Sequence, residues 1–170
     1  MKNLFKKGIL VLTVCFSLII CGCSCFNKEK TYSKYGMTIT MTEGFTEKSI
    51  LNATYYLEST QSLMHALKEE FNPTYLPSTT TLDEYVSLVK RNNYLQAEVE
   101  TRENEEYLYF TYEKTVSGKT FFYLATAHKT EDSFWLIQFA CNENDKEDFE
   151  DKFLKWADTI TFETNNQSNI

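Results

Sequence analysis

Glycine and proline are scarce in this chain of 170 residues, at five and two. Low-complexity linkers are therefore absent, and a glycine-rich phosphate cradle has almost no material. There are two histidines, His65 and His128. No HExxH, paired CxxC, GxSxG, GxxxxGK[ST] or GxGxxG pattern occurs. Basic residues are also short, 17 against 24 acids, for a net charge of −7. That balance argues against nucleic acid as a partner, because phosphate contacts need clustered Lys and Arg. What the chain does have is 42% hydrophobic and 15% aromatic residues. It can bury a core, and its length suits one domain, not two.

The N-terminus reads as an address. Lys2, Lys6 and Lys7 precede an uncharged run, residues 8–20 (GILVLTVCFSLII). A basic stub and an apolar stretch of this length form the layout of a secretory signal. As a helix the run would reach about 20 Å, short of a ~30 Å hydrocarbon core, so a permanent transmembrane anchor is the weaker alternative. The run ends in Ile20-Cys21-Gly22-Cys23, which resembles the lipobox of bacterial lipoproteins. Only Cys23 has both a small residue at −1 and a branched apolar residue at −3; Cys21 at −2 departs from the usual Ala or Ser. The resemblance implies a signal peptide over 1–22, a diacylglycerol thioether on Cys23 and acylation of the new N-terminus. An ordinary secretory signal with incidental cysteines is the other reading.

Three of the 17 basic residues and no acid precede Cys23, so residues 23–170 hold 14 basic and 24 acidic residues, net −10. Such a body is repelled by an anionic lipid surface, so lipid, not a polybasic patch, would anchor it. Residues 23–34 are expected to be a polar, lipidated tether, and 163–170 a frayed tail. With Cys15 and Cys21 leaving in the signal and Cys23 lipidated, Cys25 and Cys141 are left. Export permits a bond between them, although Cys25 lies in the tether and Cys141 ends an apolar strand.

Residues 35–162 form the expected domain. Tyr35–Met41 alternates like a strand, with a turn at Glu43-Gly44. Thr54–Glu58 and Ser62–Glu70 read as two more strands, the second with a helical alternative. Leu82, Tyr85, Val86 and Val89 make a helical stripe, with Thr81 and Glu84 as a capping box. Strands are expected over Tyr94–Arg102, Tyr107–Val116, Lys119–Lys129 and Phe134–Cys141, with Ser117-Gly118 as a hairpin turn. Phe134–Cys141 is apolar on both faces, the mark of a covered central strand. A helix over Asp145–Asp158 is expected, with Asn144 and Glu147 as its capping box, and then a short edge strand at Thr159–Phe162. The class is α+β: an antiparallel sheet of six to seven strands with two main helices packed on it.

The segments YGMTITMTEGF, LDEYVSLVKRNN, YEKTVSGKTFFYLA, FWLIQFAC and DFEDKFLKWADTITF together resemble the PsbP-like fold, named for an extrinsic subunit of the photosynthetic oxygen-evolving complex. The resemblance covers about Tyr35–Phe162 and implies accessory and binding roles. A cystatin-like α+β fold is the alternative.

No catalytic residue, metal ligand or cofactor site is expected from the sequence. Cys141 with His128 as base is the one nucleophile pairing to weigh, and Cys141 shares a strand face with Trp135, Ile137 and Phe139, a core setting. The acid runs Glu98–Glu106 and Asp145–Asp151 read as solvated faces; the second lacks the glycine of an EF-hand loop. Aromatics stand out: Tyr55, Tyr56, Phe110, Tyr112 and Tyr123 crowd neighbouring strands together with Tyr107 and Tyr109. Tyr107 and Tyr109 point to one side of their strand and are the candidate binding surface, a platform for a sugar ring, a peptide or a protein. Cross-strand packing under the helices is the competing reading. The functional expectation is a membrane-anchored, non-catalytic lipoprotein with a protein or envelope partner. A small-molecule or glycan receptor with a pocket between sheet and helix is the alternative.

Overall fold

The computed structural model describes residues 28–102 and 106–163. Cys23, Cys25, the signal and residues 164–170 lie outside them. A three-stranded sheet, ordered β1-β2-β10, comes from Glu29–Lys34 (β1), Met37–Thr42 (β2) and Thr161–Phe162 (β10). The main sheet has seven strands: Thr46–Glu47 (β3), Tyr55–Glu58 (β4), Ser62–Glu70 (β5), Glu100–Thr101 (β6), Leu108–Val116 (β7), Lys119–Lys129 (β8) and Ser133–Asn142 (β9). Its order is β3-β4-β5-β9-β8-β7-β6, antiparallel throughout. Two helices, Leu82–Asn93 (α1) and Lys146–Ala157 (α2), complete the α+β design.

β9 sits between β5 and β8, and all but its last residue are buried. Its two faces feed two cores. Trp135, Ile137, Phe139 and Cys141 pack with Phe149, Phe153 and Trp156 of α2 and with Met37, Ile39 and Met41 of β2. Phe134 and Leu136 pack with Tyr85, Val86 and Val89 of α1. Each large apolar side chain buried in this way contributes roughly 1.5–3 kcal/mol. The α1 stripe and capping box form as expected: Glu84 N–H donates to Thr81 Oγ1 at 3.2 Å, and Thr81 N–H to Glu84 Oε2 at 2.8 Å. Ser117 and Gly118 both have positive φ, 52° and 79°, the backbone a two-residue hairpin demands.

Four expectations need correction. The tether over 23–34 is too long, because Glu29–Lys34 is a strand paired along its whole length with β2. Only Tyr32 of that strand is buried, so it carries no two-residue apolar period to read. Tyr35 does not begin a strand: Tyr35 (φ 53°) and Gly36 (φ 81°) turn the β1–β2 hairpin. Tyr94–Arg102 contributes only Glu100–Thr101, because Tyr94 is the left-handed cap of α1 and the chain then crosses the α1 core edge through Leu95 and Ala97. The second capping box is absent: Glu143–Asp145 forms a 3-10 turn that feeds α2 directly, with no side-chain cap. Thr161–Phe162 does form an edge strand, but in the small sheet against Met37 and Thr38.

Candidate functional site: an aromatic-floored cleft

At the end of the main sheet where β8 turns into β9, the chain leaves a cleft of about 1070 Å³. Three elements build it. The β8–β9 turn is pinned by Thr130, whose N–H donates to the Ser133 carbonyl at 2.9 Å and whose hydroxyl donates to Asp132 Oδ1 at 2.9 Å. The β1–β2 turn contributes Tyr35 and Gly36, and the segment after α2 contributes Ile160 to Glu163. Glu163 N–H donates to the Gly36 carbonyl at 2.8 Å, which ties the last two together.

The floor is a set of rings. His128 lies 5.1 Å from Tyr107 and 5.3 Å from Phe162, and Trp135 lies 5.4 Å from Phe162, between centroids. Tyr107, His128 and Trp135 are buried, whereas Phe162 is half-exposed. His128 Nε2 lies 3.0 Å from Thr126 Oγ1. The Thr126 hydroxyl donates onward to the Ile137 carbonyl at 3.5 Å, so its oxygen is left to accept from the ring. Burial pushes the imidazole down to about 3, so the floor is uncharged at neutral pH.

Charge sits at the rim. Lys68 Nζ donates to Asp132 Oδ2 at 2.9 Å. That ammonium, with the Ser133 and Thr130 hydroxyls, holds the Asp132 carboxyl down at about 2 despite some desolvation. Lys129 Nζ is drawn to the opposite side of the sheet, where it donates to the Ser78 and Thr80 carbonyls at 2.8 and 2.7 Å and lies over the Phe134 ring. Glu106, Glu131 and Glu163 are exposed and enter no ion pair among the described residues.

The other sequence candidates fall elsewhere. Tyr107 and Tyr109 do not form an open platform. Tyr107 is 3% exposed under the end of α2 and donates its phenol proton to Asp158 Oδ1 at 2.6 Å. Tyr109 is half-buried and donates to Glu100 Oε2 at 2.8 Å. The reason is that α2 and its exit segment fold onto this sheet face. Cys141 and His128 are not brought together. His128 is opposite Trp135 and Cys141 opposite Phe122, six strand positions or about 20 Å apart at ~3.3 Å per residue. Burial pushes the Cys141 thiol up to about 12, so it stays protonated. His65 is buried on the other sheet face beside Gln138, with its Nε2 3.1 Å from the Asn52 carbonyl oxygen. No group of three or more His, Cys, Asp or Glu side chains among the described residues is placed to hold a metal ion. Among the described residues no helix is long and apolar enough to cross a membrane.

Neither a protein-family model nor a curated protein matches the chain in sequence. Solved structures do match in shape. The solution structure of cyanobacterial PsbP (CyanoP) from Synechocystis aligns with a TM-score of 0.60 at 14% identity, over 86% of this chain and 99% of that one. The fold is PsbP-like. LpqN, involved in cell envelope biogenesis of Mycobacterium tuberculosis, aligns with a TM-score of 0.52 at 8% identity, over 81% of this chain and 91% of LpqN. A protein from Bacteroides thetaiotaomicron aligns with a TM-score of 0.56 at 9% identity, over 79% of this chain but 47% of its own length. Identities this low carry the PsbP-like fold and nothing of its residues' roles. Sequence reasoning missed the cleft because Gly36, Tyr107, His128 and Phe162 share no local pattern; a histidine ending an aromatic-rich strand was the one signal pointing there.

Proposed function

We propose that this chain is an extracytoplasmic lipoprotein, held on the membrane by lipid on Cys23, whose PsbP-like domain is a non-catalytic binding or accessory module working through the cleft. The observation that carries the reading is the direction of β1. Only residues 24–28 separate Cys23 from Glu29, about 20 Å when extended. β1 then runs about 20 Å, at ~3.3 Å per residue, to the Tyr35-Gly36 turn that walls the cleft. A lipid on Cys23 would join the domain at the Glu29 end of β1, opposite the Tyr35-Gly36 turn, and would present the cleft away from the bilayer. Two or three acyl chains hold a protein stably at a membrane. The envelope role of LpqN supports the location. The volume of the cleft favours a small ligand, so the receptor alternative and the accessory reading converge on one site.

Fractionation of the native cells tests the anchor. The expected product is a membrane-bound chain whose first peptide begins at an acylated Cys23, and Cys23→Ser should release it from the membrane. Recovery of an unacylated chain that still carries residues 1–22 from the cytosol would overturn the proposal.

A further inference from the structure

We propose that the cleft binds an organic cation of small-molecule size, with its apolar part on the ring floor and its positive charge beside Glu163, at a rim that also carries Glu106 and Glu131. This rests on the reading of the cleft as a binding site.

Charge is unbalanced around the aromatic floor. Four carboxylates and two ammonium groups line the cleft. Both ammonium groups are already engaged. Lys68 is neutralised by Asp132, a carboxylate that three donors keep ionised. Lys129 points its charge at two backbone carbonyls on the far side of the sheet. Among the described residues, an anionic ligand would find no available cation at the rim, while a cationic one finds three carboxylates outside any ion pair. Glu163 is the best placed of these. Its backbone bond to Gly36 fixes it at the cleft mouth, and its Oε2 lies 3.9 Å from the place where a Cβ on Gly36 would stand. It follows directly on Phe162, whose half-exposed ring packs on His128 and Trp135. A ring face flanked by a carboxylate attracts a cation through both the ring quadrupole and the charge. The His128 imidazole beneath is neutral at physiological pH and adds no repulsion. A weakly hydrated ammonium carrying an apolar group suits this site better than a metal ion, which would require several carboxylates to converge on one point, and no such group occurs among the described residues.

The test compares benzyltrimethylammonium, benzyl alcohol and benzenesulfonate, one ring with three charge states. Each is titrated against the full-length acylated protein in detergent, with amide chemical shifts read at Gly36, Thr130 and Phe162. The cation should shift these resonances saturably and the other two should not, and raised salt should weaken the binding. Glu106→Gln, Glu131→Gln and Glu163→Gln combined should weaken it about tenfold or more. The same loss of charge at the opposite end of α2, through Glu143→Gln, Glu147→Gln and Asp148→Asn, should leave it within about twofold, since exposed charges beyond a ~10 Å Debye length are screened. No saturable shift with any probe would overturn both the cation and the cleft as a site. Equal or stronger binding of the alcohol or the sulfonate at these resonances would overturn the cation and leave the cleft standing. An unacylated Cys23 would bear on the anchor alone.

Discussion

Tyr107 and Asp158 are joined by a 2.6 Å hydrogen bond that fastens the start of β7 to the end of α2. The other carboxylate oxygen of Asp158 accepts from Arg102 at 2.5 Å, so one side chain closes the sheet-to-helix seam beneath the cleft. Its loss strips a charge-assisted partner from a nearly buried phenol. Asp158→Ala is expected to cost about 1.5–3 kcal/mol, read as a shift in the urea midpoint. Tyr107→Phe should cost less, and the double variant should fall well short of the sum. Additive losses would show that the bond does not couple the two elements.

The two histidines set an acid limit on the fold. Burial lowers the folded His128 value from 6.5 to about 3 and moves His65 in the same direction. A depressed imidazole means that the unfolded chain binds a proton that the folded chain refuses. Stability is therefore full above pH 6.5 and falls as the pH drops toward 3, by about 1.4 kcal/mol per pH unit for His128 at the steepest, and His65 adds to the loss with the same sign. The His128 imidazole should stay neutral by NMR through pH 5 while urea midpoints decline, and His65 should titrate below 6.5. A histidine resonance titrating near 6.5 in the folded protein would contradict the burial.

Cys141 is inert by the same physics. Its thiol is buried and pushed up to about 12 by desolvation, with Asp145 and Glu150 adding to the effect. Iodoacetamide at pH 8 should leave Cys141 unmodified in the folded protein and label it fully in urea. Rapid labelling under native conditions would show that the seam between β9 and α2 opens readily.

The β7–β8 hairpin turns on Ser117 and Gly118, both at positive φ. Serine bears a cost there that asparagine does not, so Ser117→Asn should raise the stability by a few tenths of a kcal/mol. Gly118→Val should lower it by about 1–2 kcal/mol, because a β-branched residue resists that backbone. Thermal melts of both decide it, and a neutral Gly118→Val would mean that the turn takes another form.

How much could be read in advance depended on how local each signal was. The α1 capping box lies within four residues, the Ser117-Gly118 turn within two, and the double-faced apolar run of β9 within ten, and all three form where they were expected. β1 escaped because its partner, not its composition, makes it a strand: Thr31 and Ser33 pair by hydroxyl contact with Thr40 and Thr38, 3.1 and 2.8 Å away. The tyrosine platform failed because an outward direction on a strand says nothing about what later folds over it.

The amino-acid sequence by itself determined the class of the protein: α+β, acidic, with helices and hairpins whose capping and turn chemistry is local. Only the tertiary structure decided that Gly36, Tyr107, His128 and Phe162 meet at one end of the sheet. Local elements follow from hydrogen bonds and apolar period within a few residues. The cleft is a product of contacts across more than a hundred residues, where packing of the whole chain, and no short pattern, chooses the neighbours.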